Sequence, residues 1–356
     1  MFTQTLTTAI TRRVLSSDLV ALLTGPHGVD RYTELLEPTW TAGEARAKVV
    51  GVRRSTARSV TLTLAPNAAF ATLPVLKAGQ YLTLAVEIDG RRHTRCYSPA
   101  NAEGSRLIEL TISRHGGGLV SRHLYDHAHI GMVLGIDSVG GEFVLPVRPQ
   151  GRLLFISGGS GITPVMAMLR TLALRGPDVE VAVVHYARNA ADVSYRAELE
   201  ALPFPVRYSY TRSESGDLKG HFGPDHLAAV LPEPDAVFVC GPTALVDAVR
   251  EHCTTVYSET FQPPVFDLPE SPSGGRITFS QSGVEVEDDG RSLLDQAEKA
   301  GLNPESGCRM GICHTCTRRK TSGVVRNLTT GAVSTAPEED VQICVSVPVG
   351  DVEVAL

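Results

Sequence analysis

Leu153-Leu-Phe-Ile-Ser157, Gly158-Gly-Ser-Gly161-Ile-Thr-Pro164 and Val165-Met-Ala-Met-Leu-Arg170 run on without a break. A short apolar run, a glycine turn and a second apolar run read as a buried strand that turns directly into a helix. Pro164 is expected at the first helical position, where its missing N–H costs nothing. The N–H groups exposed at such a helix start suit a pyrophosphate, and turns at the carboxyl edge of a parallel sheet are where dinucleotides bind. Many α/β turns are glycine-rich for steric reasons alone, so this one needs a second feature before it points to a ligand.

Cys240-Gly241-Pro242 supplies that feature, because it ends a second apolar run, Ala236 to Cys240. From 151 to 261 four such runs recur (Leu153 to Ser157, Val179 to Tyr186, Val206 to Tyr210, Ala236 to Cys240), each followed by a helix candidate. Strand alternating with helix predicts a doubly wound parallel sheet. Arg212 and Lys219 follow the third run and could hold a 2′-phosphate, which would favour NADPH over NADH. A solvated charged loop accounts for these two cations equally well.

Upstream, the pattern changes. Between about 45 and 148, short alternating runs (Ala45 to Val52, Ser59 to Leu64, Tyr81 to Ile88, Leu107 to Ser113, Phe143 to Leu145) are separated by Gly, Pro and Asn turns. They predict a small antiparallel barrel interrupted by one helix, Leu119 to His127. Arg95-Cys96-Tyr97-Ser98 puts a guanidinium, an aromatic ring and a hydroxyl on one strand, which suits a flavin's phosphate, ring system and polar edge. Gly116-Gly-Gly118-Leu-Val-Ser121 at a helix start offers N–H groups to a pyrophosphate. Taken alone, the tetrapeptide is equally at home on any half-exposed strand. Further upstream, apolar side chains between 10 and 24 are spaced for a short amphipathic helix, either a packing element or a docking segment.

Downstream, a Pro/Gly-rich stretch reads as a linker. Beyond it lies Cys308-Arg-Met-Gly-Ile-Cys313-His-Thr-Cys316, with Cys344 much later. This is the plant-type C-x4-C-x2-C…C spacing of a [2Fe-2S] cluster, four thiolates serving two irons. Gly307 and Gly311 suit a loop that brings backbone N–H groups close to sulfur. A zinc site is the alternative, although zinc more usually draws on two short C-x2-C pairs and only one is present. The cysteines are paired by iron as Cys308 with Cys313 and Cys316 with Cys344 only as an expectation, since spacing alone does not pair them.

The chain thus divides into an N-terminal helical extension (1–44), a barrel domain (45–149), an α/β domain (150–262), a linker (263–275) and a cysteine-bearing domain (276–356). Its 356 residues suit two or three cores, and 42 % apolar with 20 % charged residues is a globular composition. A net charge of -6 gives no basic excess for nucleic acid. No apolar run is long enough to cross a membrane and the N-terminus lacks a secretory signal pattern, so a cytoplasmic location is expected, with peripheral membrane association through a partner as the variant. Seven cysteines, four of them clustered, favour metal ligation over a secreted disulfide framework.

Together, R-x-Y-S at Arg95 to Ser98, G-x-x-S at Gly118 to Ser121, GGSGITP at Gly158 to Pro164, CGP at Cys240 to Pro242 and the four cysteines resemble the ferredoxin-NADP reductase superfamily. The likeness is to members with a plant-type ferredoxin domain at the C-terminus, and it runs from about residue 45 to the end. It implies an FAD-binding antiparallel β-barrel (FMN in some relatives), an α/β NAD(P)-binding domain and an α+β β-grasp ferredoxin domain. By that resemblance Arg95, Tyr97 and Ser98 contact the flavin, Gly118 and Ser121 its phosphates, and Gly159, Gly161, Thr163, Pro164, Gly241 and Pro242 the nicotinamide cofactor. Cys240 would approach the reactive ring, and Glu259 and Phe261 would lie beside the isoalloxazine. Cys240, Tyr97 and Glu259 are the residues expected at the reacting centre.

The N-terminal extension is similar to that of actinobacterial reductases serving membrane fatty-acyl desaturases. The implied partner is an oxygenase, hydroxylase or desaturase, which accepts electrons singly, whereas a nicotinamide gives two as hydride. A flavin and a cluster in series convert one into the other. A Cys240→Ala chain is expected to bind cofactor yet lose single-turnover flavin reduction. A self-contained NAD(P)H oxidase or flavin, ferric or quinone reductase is the second reading, marked by turnover unaffected by loss of Cys308. A redox-sensing binding protein is the third, marked by negligible cofactor oxidation.

Overall fold

The computed structural model describes residues 30–41, 43–176, 178–261 and 274–356. The helix expected between 10 and 24 and most of the linker lie outside them. A seven-residue helix, α1 (Asp30–Leu36), precedes three sheets.

The first sheet is antiparallel and built from β1 (Arg46–Thr56), β2 (Ser59–Pro66), β3 (Tyr81–Ile88), β4 (Arg91–Tyr97), β5 (Ile108–Ser113) and β6 (Val133–Gly140), in the order β4-β3-β6-β1-β2-β5. Alternate residues, among them Leu62 and Leu64, Leu82 and Leu84, and Leu110 and Ile112, converge on one core, closed by Val120 and Leu124 of α2 (Leu119–His127). β3 and β4 are joined by Asp89-Gly90, both with positive φ (52° and 72°), the two-residue turn whose twist matches a hairpin. That turn sets the register Leu82↔Tyr97 and Thr83↔Cys96. It leaves β4 as an edge strand.

Two expectations need correction here. Phe143 to Leu145 form no strand; their buried side chains join the core of the α/β domain. Most of β4 and all of β6 escaped the sequence reading. RRHTR is charged and VLGIDSVG carries glycine and polar residues, so neither alternates cleanly.

The second sheet is wholly parallel: β7 (Arg152–Gly158), β8 (Glu180–Ala187), β9 (Val206–Tyr210), β10 (Leu218–Lys219), β11 (Ala236–Cys240) and β12 (Val256–Glu259), ordered β10-β9-β8-β7-β11-β12. Its helices are α3 (Ile162–Arg175), α4 (Arg196–Ala201), α5 (Pro224–Val230) and α6 (Thr243–His252). Leu153 and Phe155 face one core with α3, while Leu154 and Ile156 face the other. Burial on both faces explains why these strands read as continuous apolar runs. The order reverses between β7 and β11, which places the ligand crevice at their carboxyl ends. Pro164 is the third residue of α3 rather than the first. The cost is the same, since the first-turn N–H groups have no intrahelical partner. The third strand is followed by the short β10 before its helix, a departure from strict alternation.

The third sheet is mixed. β13 (Arg276–Phe279), β14 (Val284–Glu287), β15 (Thr317–Asn327), β16 (Val333–Ser334) and β18 (Ser346–Val354) run in the order β14-β13-β18-β15-β16, with β17 (Glu339–Gln342) beside β15. β13 and β18 are parallel, and α7 (Leu293–Lys299), capped by Ser292 accepting from Asp295 N, packs its leucines into the core.

Arg170 of α3 ties the first two domains together. It donates to Glu109 of β5 at 2.8 Å, to the Ala100 carbonyl at 2.7 Å and to both carboxylate oxygens of Glu198 at 2.6 Å.

Candidate functional site

At the reversal point two turns are pressed together. A methyl group on Gly161 would fall 2.1 Å from the Cys240 carbonyl oxygen, so only glycine lets the β7–α3 turn lie against the end of β11. Gly158 and Gly241 close the same contact, Gly158 meeting Pro242. Gly159 is the exception: it is exposed, its φ is +55°, and nothing stands within 4 Å of where a side chain would begin. It is the turn's open face. Thr163 is buried and donates back to the Ser160 carbonyl at 3.2 Å, holding the loop's shape.

Cys240 is fully buried, and burial, with Glu259 adding to it, pushes its thiol well above the ordinary range. Cys240 and Glu259 are paired residues of β11 and β12. Ser98, just beyond β4, donates to Glu259 at 3.4 Å, so the first two domains meet across the Cys240 edge. Phe261 packs partly buried against the core of the α/β domain.

Burial raises the Glu259 carboxyl from an ordinary 4.5 to about 8, against the opposing hydrogen bond from Ser98. Between these two values the folded chain holds a proton that the unfolded chain has lost, so stability falls as pH rises through that window. Thermal melts between pH 5 and 9 are expected to show this decline in the wild type and a flatter profile in Glu259→Gln; parallel profiles would mean that the carboxyl is already ionised.

On β4 the side chains alternate. Arg95 and Tyr97 share a face with their partners Leu84 and Leu82, and Tyr97 packs at the margin of the barrel core, where burial raises its phenol. Arg95 donates to the neighbouring Thr94 carbonyl at 2.7 Å. Gly118 caps α2, and Ser121, buried in its first turn, lies so close that a methyl group on Gly118 would meet its hydroxyl at 2.5 Å. Arg212 is exposed beyond β9, its N–H bonded to the Arg188 carbonyl at 2.8 Å. Arg188 is therefore a second cation at that edge, one the sequence reading passed over because it follows a different strand.

The cysteine loop winds tightly. Arg309, Gly311 and His314 have φ of 57°, 74° and 57°, a left-handed conformation that costs a non-glycine residue about 1 kcal/mol or more. The winding turns the N–H groups of Met310, Ile312 and Cys313 toward Cys308 Sγ at 3.3 to 3.4 Å, and Cys308 N toward Cys313 Sγ at 3.1 Å. Gly307 is needed because a methyl group there would lie 2.5 Å from Cys313 Sγ.

The thiols also act on one another. Cys308 and, after it, Cys96 draw the Cys313 thiol down, and Cys344 draws Cys316 down to about 7. Backbone N–H groups aimed at the Cys308 and Cys313 sulfurs suit thiolate ligands of an iron-sulfur cluster. Among these cysteines Cys96 is the one to which the sequence reading gave no role.

The chain matches three family models: the oxidoreductase FAD-binding domain over 55–145, the oxidoreductase NAD-binding domain over 155–251 and the 2Fe-2S iron-sulfur cluster binding domain over 277–349. It is 34 % identical over 351 residues to an NADPH oxidoreductase of Mycobacterium tuberculosis, covering 94 % of this chain and 90 % of that one. It is 30 % identical over 317 residues to the glycine betaine monooxygenase reductase subunit of Pseudomonas aeruginosa, covering 78 % and 86 %. Among solved structures, phthalate dioxygenase reductase superposes with a TM-score of 0.60 over 88 % of this chain and 98 % of that one; at 24 % identity the likeness is one of fold. With three domains in this order and a relative matched over nearly its whole length, the chain belongs to the ferredoxin-NADP reductase superfamily, among the flavin-binding reductases that carry a C-terminal [2Fe-2S] ferredoxin domain.

Proposed function

We propose that this protein oxidises NADPH at the β7/β11 crevice and delivers the electrons, one at a time, through its own cluster to a partner oxygenase, hydroxylase or desaturase. The observation that carries the reading is how the cluster loop docks. Tyr81 of β3 donates to the Ile312 carbonyl at 3.2 Å, and the hydroxyls of Thr94 and Thr315 lie 3.0 Å apart. The cysteines are thereby held against the outer side of the strand whose other side carries Arg95 and Tyr97.

When bound, the flavin accepts hydride from the nicotinamide and the cluster takes electrons singly. The chain's own part is binding, orientation and exclusion of water. Arg95, with the first-turn N–H groups of α2 at Gly118 and Ser121, would neutralise the flavin's phosphates. Tyr97 and Ser98 would hold the ring system, and Phe261 would flank it. The open face at Gly159 and the start of α3 would receive the nicotinamide cofactor's pyrophosphate. Cys240, buried and uncharged, would set the nicotinamide's position without competing for a proton, and Glu259 beside it is held mostly protonated near neutral pH. Cys308, Cys313, Cys316 and Cys344 would hold the cluster.

Arg212 with Arg188 favours NADPH over NADH, as does the name of the Mycobacterium tuberculosis relative. A partner that accepts electrons is supported by relatives named as reductase subunits. Among the described residues no helix is long and apolar enough to cross a membrane; a cytoplasmic location, with any membrane contact made through the partner, is part of the same proposal.

Anaerobic titration of the purified protein with NADPH and separately with NADH tests the reading. About three electrons per chain, two for flavin and one for cluster, should be taken up, with flavin and cluster bands bleaching together. Bleaching of flavin alone would sink the internal relay.

A further inference from the structure

Cys96 lies between Arg95 and Tyr97 but points the other way, because successive side chains on a strand alternate. The cysteine loop is packed on that same face, with Thr94 Oγ1 3.0 Å from Thr315 Oγ1 and a methyl group on Gly307 falling 3.0 Å from Thr94 Oγ1 and 2.5 Å from Cys313 Sγ, so the Cys96 thiol faces the sulfurs of Cys308 and Cys313. Its cross-strand partner is Thr83, whose Oγ1 is 3.8 Å from Cys96 Sγ. Thr83 is in turn the partner of Ser138 on β6, whose hydroxyl donates to Thr83 Oγ1 at 2.9 Å. One row of polar side chains thus crosses β6, β3 and β4 and ends at the cluster cysteines. Each of the three groups has a single proton to give. Ser138 gives its proton to Thr83, which leaves the Thr83 proton for Cys96 and the Cys96 S–H for the sulfurs beyond.

We infer that Cys96 is a fifth cysteine of the cluster site, a positioning residue that donates its S–H to the Cys308 and Cys313 sulfurs, oriented by Thr83 and Ser138. The inference rests on those two cysteines being cluster ligands. Donors to thiolate sulfur withdraw charge from the iron and stabilise the reduced cluster. The R-x-Y-S strand would then serve two cofactors: Arg95 and Tyr97 the flavin from one face, Cys96 the cluster from the other. A ferredoxin domain detached from β4 would lose this donor, so domain docking and cluster potential would be linked.

The test uses the full-length holoprotein. Cluster and flavin potentials are measured by EPR-monitored titration in wild type, Cys96→Ala, Cys96→Ser and Thr83→Val, and the reduced cluster is examined by pulsed EPR in H2O and D2O. In Cys96→Ala the equilibrium between flavin and cluster should move about tenfold toward the flavin, a fall of about 59 mV in the one-electron cluster couple. The flavin potential should stay unchanged, and one exchangeable-proton coupling should disappear. Cys96→Ser, which keeps a donor, should restore most of both signals, and Thr83→Val should shift the potential the same way by less. Unaltered cluster potential and proton coupling in Cys96→Ala would overturn the inference. Should that variant fail to load its cluster, an unshifted potential in Thr83→Val would overturn it instead. Loss of the cluster in both Cys96 variants would make Cys96 a ligand, which also overturns it. A wild type without any cluster signal would refute the underlying functional reading.

Discussion

Cys344→Ala abolishes the cluster's visible absorption and EPR signal and lowers electron delivery to a one-electron acceptor protein by at least about a hundredfold, while flavin reduction by NADPH stays within about twofold. Cys344 is the informative choice among the four cysteines. It is buried and paired with Cys316, remote in sequence from the loop that holds the other three. The fifth thiol, Cys96, lies on the strand face against which the loop of the other three is docked. A substitution at Cys308 or Cys313 would leave Cys96 beside the vacated position, whereas the thiols that act on Cys344 are Cys316 and Cys308, themselves cluster-ligand candidates. Stopped-flow absorbance separates the two steps. Hydride transfer lost together with the cluster would mean that the ferredoxin domain supports the flavin site structurally; acceptor reduction that survives would mean that electrons leave directly from the flavin.

Gly161→Ala has the second large effect. The added methyl would lie 2.1 Å from the Cys240 carbonyl oxygen and 2.4 Å from its carbon, both backbone atoms at the carboxyl end of a central strand. Neither turn can yield cheaply, so the ends of β7 and β11 must separate, at a cost of about 3 kcal/mol or more. Because Cys240 sits at that junction, flavin reduction by NADPH is expected to fall about a hundredfold. Gly159→Ala is the control. Its side chain would enter open space, and its φ of +55° costs about 1 kcal/mol. Thermal melts should therefore rank Gly161→Ala far below Gly159→Ala; equal loss of stability in the two would contradict the steric account.

How much of this was legible in the sequence depended on how local each signal is. The β7 turn, the Cys240 turn, α2 and the C-x4-C-x2-C loop were all readable because the residues that define each one are neighbours in the chain. A strand buried on both faces announces itself as an apolar run, and Ala236 to Cys240 begins and ends where read. The hairpin of β4 was overlooked although Asp89-Gly90 is a strong turn signal, since the charged residues after it masked the strand. β6 has no comparable mark.

The order of the three domains and the shapes of the glycine turn and the cysteine loop are written locally, because glycine turns, helix starts and cysteine spacings impose their geometry over a few residues. What those pieces meet is set by packing. Gly161 faces Cys240 across seventy-nine residues of chain, Ser98 reaches Glu259, and Arg170 joins β5 to α3 and α4. The role of Cys96 was likewise invisible in its tetrapeptide. The face of β4 it occupies follows from strand alternation, but what lies against that face is set by the packing of a domain more than two hundred residues away. Contacts between distant segments depend on the summed burial and register of whole sheets, which no short stretch of residues encodes.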